Sequence, residues 1–122
     1  MLAHLHDILE AARAVKVFVA EQTFEQYTAA DQLRSAVERK FEIMGEALNR
    51  IQRDEPALLR RIREHRDIIS FRNILLHGYD AIDDRIVWSV IEDELDNLLE
   101  DVEALREADE DQQAAESGAT SG

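Results

Sequence analysis

The stretch from Leu33 to Ile51 returns an apolar residue nearly every time one face of an α-helix would come round, and this leaves the chain little choice of fold. Leu33, Val37, Phe41, Met44, Leu48 and Ile51 follow one another at steps of four, four, three, four and three. A helix turns once in about 3.6 residues, so all six lie on one stripe. A stripe of that length must be buried against other helices. The spacing predicts a long helix over about residues 32–53.

The rest of the chain reads the same way. Leu2, Leu5, Leu9, Ala12, Val15 and Val19 predict a first helix from about Leu2 to Glu21. "TFEQYTAAD" interrupts the pattern with room for a short helical turn, and Thr23 or Asp31 is a candidate N-cap. Pro56, placed for a first turn, starts a short helix to about His65. Another helix runs from Asp67 to His77, with Gly78 placed to stop it. Val87, Ile91, Leu95, Leu98, Val102 and Leu105 predict a closing helix over about residues 83–108. The expected architecture is an all-α, up-and-down bundle of about five helices over residues 1–108. The stretch "DEDQQAAESGATSG" has no apolar stripe and is expected to be a disordered acidic tail, residues 109–122. Gly45 lies in the middle of the long helix, where glycine costs about 1 kcal/mol against alanine. Either a neighbouring helix approaches closely there, which would place Glu46 beside the contact, or the glycine is merely tolerated.

Composition excludes several kinds of chemistry. With no cysteine, disulfides, zinc–thiolate sites and thiol catalysis are all ruled out. The start "MLAHLHDILE" has neither the basic leader nor the unbroken apolar run of a signal peptide, and no run is long enough to span a bilayer. These features predict a soluble, cytoplasmic protein. The net charge of −13 argues against a general nucleic-acid coat. Removing Asp109, Glu110, Asp111 and Glu116 still leaves −9 for residues 1–108. One segment reverses the sign: Arg60, Arg61, Arg63, Arg66 and Arg72 face only Glu64 and Asp67.

That basic segment leads into "ISFRNILLHGYD", residues 69–80, where a permanent charge stands among Ile, Phe and Leu. On a helical wheel Phe71, Leu75, Ile68, Leu76 and Ile69 cover an arc of roughly 160°, and Arg72 falls inside it. A lone charge among apolar groups is very unfavourable, so Arg72 requires a partner, a cleft or a second chain. Glu46 or Glu42 would serve as a salt-bridge partner, with His77 then a simple helix cap. Asn73 and His77 are four apart and can touch, so Asn73 could fix the imidazole's orientation. Arg72 and His77 are about 140° apart on an ideal helix. They would converge if the helix loosens at Gly78, or if two copies face each other across a dyad. His4 and His6, two apart, point to different faces and do not make a shared metal site. Phe41, Phe71 and Trp88 read as core or interface.

With these residues in view, the chain resembles the HepT-like toxins of the HEPN superfamily over residues 4 to about 105. "HDILEAARAV" resembles the family's first helix, "FEIMGEAL" its second-helix signature and "IVWSVIEDELDNL" its closing helix. "FRNILLHGYD" matches the R-x4-H-x-Y motif with Arg72, His77 and Tyr79 in register, and Asn73 supplies the polar residue favoured after the arginine. The resemblance implies a homodimer and a metal-independent endoribonuclease with no cofactor of its own. Arg72, His77 and Asn73 would be catalytic and Glu46 accessory; beside the resemblance, the basic segment of Arg60, Arg61, Arg63 and Arg66 is expected to grip the RNA backbone. The resemblance further implies a type VII-like toxin–antitoxin pair. An MntA-like nucleotidyltransferase antitoxin, with ATP as AMP donor, would silence the toxin by transferring AMP to Tyr79. Two other readings use the same residues. One is a non-catalytic helical partner or nucleotide-binding module of such a nucleotidyltransferase, and the other is a purely structural dimer with Arg72 at its interface.

Overall fold

The computed structural model describes the backbone of residues 2–77 and 83–120, with side chains to Glu116. The described residues form seven helices and no strand. They are α1 (Leu2–Val19), α2 (Phe24–Ala29), α3 (Asp31–Asp54), α4 (Pro56–Leu59), α5 (His65–Leu76), α6 (Asp84–Asp93) and α7 (Leu95–Thr120). The long striped helix is α3, and it is the centre of the bundle: α1 and α5 both pack along it, while α7 lies against α1. Val37, Phe41, Met44, Leu48 and Ile51 are completely buried. No helix among the described residues is long and apolar enough to cross a membrane.

Local chemistry accounts for the helix starts. Thr23 Oγ1 accepts from the Gln26 N–H at 3.1 Å, and Gln26 Oε1 accepts from the Thr23 N–H at 2.9 Å. This capping box turns the interruption after α1 into a helix of its own. Asp31 is not the cap of α3 but its first residue, where its charge complements the positive helix end. Pro56 opens α4, where its missing N–H would have had no partner anyway. Asp83 caps α6 by accepting from the Arg85 N–H at 2.9 Å.

Two departures from the sequence expectation concern the end of the chain. The single closing helix is broken at Glu94, which has φ −120° and ψ −28°. The backbone bonds Glu94 N–H to Val90 (3.0 Å) and Leu98 N–H to Glu94 (3.0 Å) persist through the break. The apolar stripe therefore keeps its phase across it, and no step in the sequence marks it. The acidic stretch after Ala108, expected to be disordered, continues α7 as helix to Thr120. Residues 110–116 are exposed and bury no apolar face.

Candidate active site

The close approach at Gly45 is real, and it is made by Arg72. A Cβ built on Gly45 would lie 2.3 Å from Arg72 Cβ and 2.6 Å from its Cγ. Only a residue without a side chain lets the arginine stem lie across α3 at this point. The stem leads the guanidinium to the next residue of α3. Arg72 Nη2 donates to Glu46 Oε2 at 2.6 Å, and Arg50 Nε donates to the other oxygen of Glu46 at 3.1 Å. Glu46 is thus held between two arginines. The Arg72 side chain is 21% exposed, and its Nε is buried with no hydrogen-bond partner among the described residues. Phe71, the preceding residue, stacks edge-on against Phe41 of α3 with ring centres 5.1 Å apart. That contact fixes how α5 is rotated on α3.

Arg72 opens into a cavity of about 330 Å³ between α1, α3 and α5, lined also by His4, Asp7, Glu42 and Leu76. The salt bridge to Glu46 was one of the two partners foreseen for Arg72. Arg50, His4 and Asp7 were not foreseen. Their only signal in the sequence is spacing: Arg50 follows Glu46 by four, and Asp7 follows His4 by three.

The other residues of the motif lie elsewhere on α5. Asn73 and His77 are exposed, and His77 ends the helix with its backbone N–H bonded to the Asn73 carbonyl at 3.1 Å. That bond is main chain; no side-chain hydrogen bond joins the two among the described residues. α5 stays helical through Leu76, so Arg72 and His77 keep their separation of about 140° around it. They do not converge within one chain. Gly78 and Tyr79 lie outside the described residues.

The arginine segment is divided rather than continuous. Arg63 is bound to Asp101 through its backbone N–H (2.9 Å), Nε (3.0 Å) and Nη2 (3.0 Å), and it also reaches Glu100 at 3.3 Å. Burial pushes the Asp101 carboxyl up, and the Arg63 bonds more than reverse this, leaving it below its ordinary value. Arg63 is a clamp between α7 and the α4–α5 turn, not a free hand for RNA. Arg61 borders a hollow shared with Glu55 and Asp109. Arg60 and Arg66 share a different cavity, with His65 and Ser70.

A carboxylate cluster was invisible in the sequence because Glu94 joins Glu64 and Asp67 from a distant segment. Oxygens of Glu64, Asp67 and Glu94 lie within 4.8 Å of one another, an arrangement suited to a shared proton or a cation. Burial first, then Asp67 and Glu64, push the Glu94 carboxyl up to about 8. Its place at the break between α6 and α7 brings it there.

Comparison with known proteins adds a family. The family model described as "Ribonuclease HepT-like" matches residues 8–105. A probable ribonuclease HepT of Thermococcus cleftensis is 32% identical over 103 residues, covering 84% of this chain and 93% of that protein. A protein of Methanocaldococcus jannaschii, provisionally named as an RNase, is 31% identical over 103 residues, covering 84% of this chain and 94% of its own. No solved structure matches the chain.

Proposed function

The chain belongs to the HepT-like ribonuclease family and is an endoribonuclease, and from that premise we propose that it is a toxin that cuts RNA without a metal ion, through Arg72 of one copy and His77 of another. The observation that carries this reading is the placement of Arg72. The arginine is built in over Gly45 and bridged by Glu46, yet it lies on a different side of α5 from the exposed His77. Two copies related by a dyad would bring the two sides together.

The chemistry needs only what these residues supply. The 2′-oxygen of RNA attacks the neighbouring phosphorus and the bond from phosphorus to the 5′-oxygen breaks. The products are a 2′,3′-cyclic phosphate and a free 5′-hydroxyl. One proton leaves the 2′-hydroxyl and one joins the departing 5′-oxygen. An imidazole titrates near neutrality and serves as base or acid for these transfers. A guanidinium keeps its charge and offers paired donors to the phosphorane oxygens. Glu46 and Arg50 hold that guanidinium in place, and Asn73 stands one turn before His77 on the same exposed side.

A groove of about 410 Å³ between α5 and α6 offers a face for a contact between copies, separate from the Arg72 cavity, since Ile74 and Arg72 lie about 160° apart around α5. Ile74 (49% exposed) and Ile86 (51%) lie along it. Arg85 lies eight residues before Asp93 in its lining, on α6. Arg85 is already bonded to Asp83 of its own chain, Nη2 to Oδ2 at 3.2 Å, so the two isoleucines and not this arginine would carry the contact. Regulation follows from Tyr79, two residues beyond His77. An MntA-like nucleotidyltransferase would transfer AMP from ATP to the phenolic oxygen, releasing pyrophosphate. The adenylate would add bulk and negative charge where RNA phosphate must sit. The cell compartment is the cytoplasm, where RNA and ATP are both at hand.

The test is cleavage of RNA by purified protein free of adenylate. Wild type cuts, His77→Ala loses at least 100-fold in rate, and co-expression with the nucleotidyltransferase adds adenylate mass that Tyr79→Phe abolishes. Intact RNA with unmodified wild type would leave a nucleotide-holding partner module instead.

A further inference from the structure

Of five cavities on the described surface, the one between α4 and the start of α5 has no carboxylate in its lining. In a chain with 27 acidic residues and a net charge of −13, such a space stands out. It holds about 450 Å³ and is lined by the donors Arg60, His65, Arg66, Gln52 and Ser70 together with the apolar Pro56, Leu59 and Ile69. Most arginines of this protein are taken up by carboxylates, yet Arg60 and Arg66 are in no salt bridge among the described residues. Both are exposed. Burial first, then the neighbouring Arg66, lowers the His65 imidazole's affinity for a proton.

The cavity is connected to the rest of α5 by a stripe. Arg66, Ser70, Asn73 and His77 follow at steps of four, three and four, and all four are exposed. They fall on one side of the helix within roughly 60°. Eleven residues of helix separate Arg66 from His77 by about 16 Å, the reach of about five stacked nucleotides at 3.4 Å each.

We infer that this cavity is an RNA subsite, in which Arg60, His65 and Arg66 hold a backbone phosphate several nucleotides from the bond cut beside His77. The inference rests on the ribonuclease reading and deepens it. It also resolves how an acidic protein binds RNA: the strand follows one donor-lined track and avoids the acidic remainder. Arg61 and Arg63 lie off the track, the first beside Glu55 and Asp109 and the second clamped by Asp101.

The experiment compares an RNA of three nucleotides with one of nine sharing the same scissile step, using full-length protein free of adenylate. A second arm measures binding of the uncleavable 2′-O-methyl versions by fluorescence anisotropy over a range of salt. Wild type favours the longer RNA in both arms. Arg60→Ala/Arg66→Ala loses about tenfold on the long RNA, in KM rather than kcat and in Kd, and less than twofold on the short one. The salt slope of binding falls by about 0.7, because one phosphate is no longer neutralised. Arg53→Ala, an exposed arginine outside the cavity, leaves the long-RNA values unchanged. Equal losses on both lengths, or none on either, overturn the subsite. If wild type cuts neither RNA, the ribonuclease reading has failed, while the binding arm still decides the subsite. Circular dichroism and Arg60→Lys/Arg66→Lys, which keeps the charge and most of the length preference, separate the effect from misfolding.

Discussion

Gly45 is the residue on which the candidate site depends most, although it does no chemistry. Replacing it by alanine would favour the helix by about 1 kcal/mol on propensity alone. The added methyl would fall 2.3 Å from Arg72 Cβ, which sits at the rigid root of the side chain and cannot swing aside. Helices α3 and α5 would have to separate, and such overpacking costs about 1–3 kcal/mol. We expect Gly45→Ala to lower Tm by up to about 8 °C and to cut RNA cleavage at least tenfold, because the arginine moves with the helix. An unchanged Tm together with full activity would mean that the approach at Gly45 is not needed. Glu94 gives a second prediction at this scale. Its folded carboxyl is raised to about 8 from an ordinary 4.5, by burial and then by Asp67 and Glu64; the amide of Asn97 bonds to Glu64 at 3.3 Å. Between those values the folded protein holds a proton that the unfolded chain has released, so stability falls as pH rises through the window. Thermal melts from pH 5 to pH 8 should show Tm falling for the wild type and falling less for Glu94→Gln. The variant should be the more stable of the two at pH 8. Some slope remains, because burial also raises Glu38. Parallel curves for the two proteins would remove Glu94 as the source.

At the level of elements, a helix could be read wherever an apolar stripe repeats, and hidden wherever the stripe gives no sign. The six residues from Leu33 to Ile51 locate α3 because their burial is what makes the helix stable. The short α2 was readable only as a helical turn with Thr23 as one of two candidate caps, and the reciprocal bond to Gln26 came with the structure. The break at Glu94 was not readable, because Val90, Leu95 and Leu98 continue in phase and the backbone bonds persist. The need of Arg72 for a partner followed from the wheel, and Glu46 was one of two candidates. The Arg50 bridge, and the capture of Arg63 by Asp101 thirty-eight residues away, required the packed bundle. Contacts between segments far apart in sequence leave no periodic trace. The groove between α5 and α6 also belongs to this scale. Ile74 and Ile86 are about half exposed among the described residues. If a second copy covers them, Ile74→Asp or Ile86→Asp should convert a dimer to a monomer in size-exclusion chromatography with light scattering, with helicity unchanged. Persistent dimers in both variants would place the contact on another face.

At the scale of the whole molecule, an acidic helical bundle can act on RNA only if charge is sorted locally. The chain carries −13 overall, yet Arg72, His77 and the Arg60–Arg66 cavity lie together along α3, α5 and the turn that joins α4 to α5. The proposed pairing of two copies would complete what one chain leaves apart. Arg72 faces α3 and His77 faces solvent on a different side of α5, so a site that uses both takes one from each copy. This central claim has a direct test that uses two inactive proteins. Arg72→Ala and His77→Ala are each purified free of adenylate, mixed, allowed to exchange subunits, and assayed for RNA cleavage. A mixed dimer then contains one intact site of two, and half the dimers are mixed, so the composite site predicts recovery to about a quarter of wild-type activity. A mixture that has exchanged subunits, as mass spectrometry would show, and is still as inactive as its parts would contradict it.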